Sequence, residues 1–143
     1  MGGWSPSKVL GTRRTEQKFY LNYVFALTAR DMARFGHLYL CNGRWHDQQV
    51  IPADWVRRST TSYSDFEAAQ APASDEAGYG LLWWTHAWGY SAKGHGGHVI
   101  DVIPAKDLVI VHRVAHAPPR EDVVSYGDVA AMVRLVVDAA PVR

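Results

Sequence analysis

Six consecutive residues concentrate the reactive side chains of this sequence: Lys93, Gly94, His95, Gly96, Gly97 and His98. Two imidazoles and an amine among glycines suit three chemistries. They could ligate a metal, place a donor beside a developing negative charge, or flank a tight turn. Metal ligation is the weakest of these. Familiar zinc pairs lie one turn apart on a helix, and "GHGGH" has too much glycine to hold a helix. In a strand, positions i and i+3 point to opposite faces. The neighbouring histidines His86, His112 and His116 have no cysteine or carboxylate at recognisable ligand spacing, so no metal is expected. The other two readings stay open. Small residues would let a substrate approach the strand backbone and accept its N–H groups, with His95 or Lys93 as donor or cation. The same glycines would equally serve a bare strand-to-strand turn.

Composition limits what these residues can belong to. A chain of 143 residues, 48% hydrophobic and 20% charged, fits one globular domain with a real core. A formal net charge of +1 gives no drive toward nucleic acid or an anionic membrane surface, and the pairs Arg13-Arg14 and Arg57-Arg58 read as solvated surface. No apolar run approaches the roughly 20 residues of a membrane span. The opening "MGGWSPSK" has no apolar signal-peptide core, so the compartment is unknown. Cys41 is the single cysteine, which excludes an internal disulfide; at the end of an apolar helical stretch it is expected as a buried, inert thiol.

The elements that must position the candidates follow from periodicity. Residues 1–23 form an irregular lead-in. "LTARDMARFGHLYLCNG" predicts a helix capped by Thr28 with Asp31 in a capping-box position, burying Met32, Phe35, Gly36, Tyr39 and Leu40 and ending at Asn42-Gly43. "RWHDQQVIPADWVRRST" predicts a turn or hairpin and then a helix opened by Pro52, with Trp55 and Val56 facing the core. Residues 62–77 predict a polar surface loop whose Tyr63 and Phe66 could border a pocket. "YGLLWW", "HVIDVI" and "LVIVHRV" read as strands, the last two joined by a turn at "PAKD". Alternation sets Trp83 and Trp84 on opposite faces, one for the core and one for a pocket or interface. Asp101, among apolar strand neighbours, calls for a structural partner. Residues 126–138 return to helical period with Val129, Met132, Val133, Val136 and Val137 on one face. The fold class is α+β: N-terminal helices, an antiparallel sheet of about three or more strands, and a closing C-terminal helix, forming a single partial domain over 1–143.

The succession "LTARDMARFGHLYLCNGRWHDQQVIPADWV", "GYGLLWW" and "YSAKGHGGHVIDVIPAKDLVIVHRV" resembles the C-terminal part of the serine β-lactamase-like hydrolases. That superfamily includes class C β-lactamases, DD-peptidases, esterases and 6-aminohexanoate-dimer hydrolases. The resemblance covers residues 24–115, about two-thirds of the chain. It implies a partial β-lactamase/transpeptidase-like fold and acyl-enzyme chemistry on an amide, β-lactam or ester, without a cofactor. The family uses a serine and lysine in S-x-x-K, a tyrosine in Y-x-N, and a third motif on a pocket-edge strand. Ser5-Pro6-Ser7-Lys8 and Tyr20-Leu21-Asn22 copy the first two patterns, but Tyr20 follows Ser5 by only 15 positions, too few for the helical region that separates them. Both are set aside as chance matches, and the nucleophile is expected upstream of this sequence.

The third motif is degenerate here: His95-Gly96-Gly97 resembles an H-x-G form, and Lys93-Gly94 offers a second register. The resemblance therefore marks Lys93, His95, Gly96 and Gly97 as pocket-edge candidates, with Tyr90, His98 and Trp84 lining the substrate pocket. The implied partner is a small amide or ester substrate, once an upstream half completes the site. The alternative is a non-catalytic truncated domain that binds a partner chain or self-associates through an exposed sheet face.

Overall fold

In the computed structural model, the structure describes residues 25–65, 76–114 and 124–141. The lead-in 1–23, with Arg13-Arg14, Ser5–Lys8 and Tyr20–Asn22, lies outside the described residues, as do Phe66 and His116.

The first element is helix α1, Ala29–Leu40. Thr28 caps it: its hydroxyl oxygen accepts from the Asp31 backbone N–H at 3.1 Å, and the Asp31 carboxylate accepts from the Thr28 backbone N–H at 3.3 Å. The two residues thus satisfy each other's backbone N–H groups reciprocally. Asn42 and Gly43 end the helix with φ of 52° and 79°. A two-strand hairpin follows, β1 (Arg44–Trp45) and β2 (Gln48–Gln49), then helix α2, Ala53–Ser59. Pro52 stands at the N-cap of α2, one position before the expected first turn.

The remaining strands are β3 (Ser64–Asp65), β4 (Glu76–Tyr79), β5 (Trp84–His86), β6 (Gly89–Gly94), β7 (His98–Ile103) and β8 (Leu108–His112). They form one antiparallel six-stranded meander in sequence order. A 3₁₀ turn at Pro104–Lys106, closed by Asp107 in the left-handed conformation, joins β7 to β8 as "PAKD" predicts. The last helix, α3, spans Tyr126–Ala139 and is capped by Ser125, which accepts from the Asp128 N–H at 3.1 Å. The α+β class and closing helix hold.

Strand alternation gives the sheet two unlike faces. Tyr90, Ile100 and Val102 meet Tyr39, Val56 and Trp83 on the α1 side. Val99 and Ile103 meet Val129, Val133 and Val137 on the α3 side. Each such fully buried aliphatic side chain contributes about 1.5–3 kcal/mol. Gly36 is what lets α1 sit so close: a Cβ there would lie 2.6 Å from Val109 Cγ1 and 2.8 Å from Ile100 Cγ2.

Several expectations need correction. Trp55 is 43% exposed while Val56 and Ser59 face inward, because α2 is short and one residue on a helix is about 100° of rotation. Met132 and Val136 are exposed. Burial follows only the i, i+4, i+8 row of α3, and a helix apolar on most sides gives no polar face to mark the outside. Phe35 is 40% exposed, though it stacks on Trp83. "YGLLWW" is not one strand: the Gly80 N–H bonds to the Trp83 carbonyl, and Leu81 and Leu82 stand exposed in the turn between β4 and β5. The loop expected over 62–77 contains β3 and the first two residues of β4, and Tyr63 is exposed. Cys41 is half-buried at the end of α1, its Sγ 3.5 Å from His37 Nε2, rather than sealed in the core.

Candidate functional site

The residues from 93 to 98 close the β6–β7 hairpin. Lys93 and Gly94 end β6, His98 opens β7 opposite Gly94, and His95, Gly96 and Gly97 form the turn. His95 is exposed, while Gly96 and Gly97 are buried. Three donors from elsewhere pin the turn: the Tyr126 hydroxyl donates to the Gly94 carbonyl at 2.7 Å, the Val124 N–H to Gly96 at 3.4 Å, and His112 Nδ1–H to Gly97 at 2.7 Å. Gly97 has φ of +90°, and a Cβ on it would lie 2.7 Å from the Val124 carbonyl. The close approach its lack of a side chain allows is made by this chain's own backbone.

The sheet divides the remaining candidates between its faces. Lys93 and Trp84 share the α3 side, where the Lys93 ammonium lies 5.8 Å from the Trp84 ring centroid and 5.3 Å from that of Tyr126. Such cation–π placements hold an amine over aromatic faces. Tyr90 and His98 belong to the α1 side. Trp83 is buried at 3% exposure and Trp84 is half-buried on the opposite face, as alternation predicts.

Each face has its own opening. On the α1 side an open groove of about 570 Å³ is lined by Tyr39, Val56, Arg57, Thr60, Tyr90 and Pro104, among others. Its volume lies within the range of small-molecule sites. Burial, and then the nearby Tyr39, pushes the Tyr90 phenol up to about 12, so it stays protonated and can donate at neutral pH. On the α3 side a cavity of about 30 Å³ is lined by His86, Ser91, Lys93, Asp101 and Tyr126 among apolar neighbours. Ser91 is only 2% exposed.

One polar pair was not foreseen as a pair. His86 Nε2–H donates to Asp101 Oδ1 at 2.8 Å, with side-chain exposures of only 6% and 9%. His86 is on β5 and Asp101 on β7, so the contact crosses β6 over Gly89 and Ser91, the small residues opposite them. This is the structural partner that Asp101 required. His86 Nδ1 and Thr85 Oγ1 are buried without a hydrogen-bond partner among the described residues. The sequence signal was present only on one side: a carboxylate in an apolar strand announces a partner without naming it.

No protein-family model and no curated protein matches the chain. A solved structure does. The fold is similar to that of "Putative 6-aminohexanoate-dimer hydrolase from Bacillus anthracis", with 27% sequence identity and a TM-score of 0.58 over 78% of this chain. The chain spans 28% of that protein's length. The likeness supports a hydrolase-related domain. It leaves the roles of Lys93, His95, Gly96, Gly97, Tyr90, His98 and Trp84 to chemistry argued from geometry. Among the described residues no three His, Cys, Asp or Glu side chains gather as a metal site, and no helix is long and apolar enough to cross a membrane.

Proposed function

We propose that this chain is the C-terminal portion of a serine hydrolase that acts on an amide, β-lactam or ester through an acyl-enzyme. The observation that carries the reading is the likeness to part of a hydrolase over 78% of the chain. In this reading the nucleophile and its base lie outside this sequence. Substrate lies along the groove beside Tyr90, whose protonated phenol is suited to donate to a carbonyl or leaving-group oxygen. The turn at His95, Gly96 and Gly97, with His95 exposed, lies at the opposite end of the β6–β7 hairpin and lines no part of that groove, so a pocket-edge role for it needs the substrate to extend along β6.

A fluorophosphonate probe tests the division of labour. The chain alone is expected to show no labelled serine and no turnover of a nitrophenyl ester. Labelling of one serine, with turnover abolished by its Ser→Ala variant, would place the nucleophile inside the chain and end this reading. The coding sequence upstream of Met1 is the second arm: an in-frame S-x-x-K followed by Y-x-N is expected there.

A further inference from the structure

The hydrolase reading makes no use of the buried His86–Asp101 pair or of the cavity beside it. His86 Nε2 is committed to Asp101, and a carboxylate only accepts, so that nitrogen carries the hydrogen. In the neutral ring Nδ1 is then a bare acceptor on a side chain only 6% exposed. Among the described residues no hydrogen bond reaches it. Such an acceptor has given up water without a replacement, which folded chains seldom tolerate. The other unmatched group, the Thr85 hydroxyl, cannot serve it. Thr85 stands opposite Tyr90 and so takes the α1 side of the sheet, away from His86.

We propose that the cavity between the sheet and α3 is a binding site for one internal water molecule, which donates to His86 Nδ1. Size and charge select the occupant. The cavity, at about 30 Å³, admits a water, which needs roughly 10–15 Å³. It is far smaller than the roughly 300 Å³ at which sites for organic ligands begin. The Lys93 ammonium, held over the Trp84 and Tyr126 rings in the same wall, disfavours a metal cation. The Asp101 carboxylate likewise disfavours an anion. A neutral molecule that both donates and accepts remains. Ser91 and Tyr126 bring hydroxyls to this wall, and a buried water typically makes about three hydrogen bonds. A cavity lined only by Val99, Val129 and Val133 would stay dry; the polar wall makes the difference.

A crystal structure of the full chain, at a resolution that orders internal waters, is the first test. The expected result is one ordered water within hydrogen-bond reach of His86 Nδ1 in every copy. A dry cavity, or a donor from the protein itself on Nδ1, overturns the proposal. Urea unfolding gives an independent readout through Val133→Ile, which adds one methyl to the cavity from α3. Displacing the water strips His86 of its donor, so the midpoint should fall by roughly 0.5 M or more. With His86→Leu and Asp101→Leu already in place no acceptor remains, and the same added methyl should leave the midpoint unchanged or raise it. Crowding alone would cost the same in both backgrounds. An equal loss in the two, or a gain in the native chain, therefore overturns the proposal.

Discussion

The α1 and α3 faces of the sheet bury similar strands by different means. On the α1 side the rings of Tyr39, Trp83 and Tyr90 interlock, with Tyr39–Trp83 centroids 4.5 Å apart and Trp83–Tyr90 centroids 5.1 Å apart. On the α3 side valines from the helix cover an aliphatic strip that also contains the His86–Asp101 pair. Contacts of the first kind are non-directional and scale with area. The second kind includes a bond that must be complete or absent. Trp83→Ala should therefore lower stability by about 3–5 kcal/mol in urea unfolding, because so large a cavity cannot collapse among ring neighbours. A comparable loss from Val133→Ala would erase the contrast between the faces.

The buried pair sharpens it further. Asp101→Leu alone leaves His86 without its carboxylate inside the sheet and should cost about 3 kcal/mol. Adding His86→Leu should recover much of that loss, since two apolar side chains need no partner. Simple additivity of the two variants would mean that the pair does not act as a unit.

The same contrast explains what could be read in advance. The Thr28–Asp31 cap, β7 and the "PAKD" turn depend on residues adjacent in sequence, and all three were legible. His86 and Asp101 are 15 positions apart and meet across an intervening strand, so only the tertiary register could join them. The inward face of α3 was legible in part. Val129, Val133 and Val137 were placed correctly, but Met132 and Val136 are equally apolar and nothing local distinguishes them. "YGLLWW" misled for a related reason: strand-forming side chains occupy a turn, where exposed Leu82 has φ of 67°. As for the site, the sequence pointed to one edge, whereas the sheet distributes its candidates over two faces.

The smallest contrast lies at the helix N-termini. Ser125 accepts from the Asp128 N–H and donates to its carboxylate at 2.7 Å. Thr28 makes the same two bonds with Asp31, the second at 2.6 Å, and Asp31 also accepts from the Thr28 backbone. Each cap should be worth about 1 kcal/mol, read as the loss on Thr28→Ala or Ser125→Ala. The Thr28 hydroxyl bond first, and then Arg34, hold the Asp31 carboxyl below its ordinary range. A depressed folded value means that this stabilisation is fully present above the ordinary carboxylate range and is lost as pH falls through the folded value. The stability difference between the native chain and Thr28→Ala should thus be complete at neutral pH and shrink on acidification. In the variant, the Asp31 carboxyl resonance should titrate closer to an ordinary aspartate. If it titrates unchanged, Arg34 and the Thr28 backbone N–H, both retained in the variant, govern that carboxylate rather than the Thr28 hydroxyl.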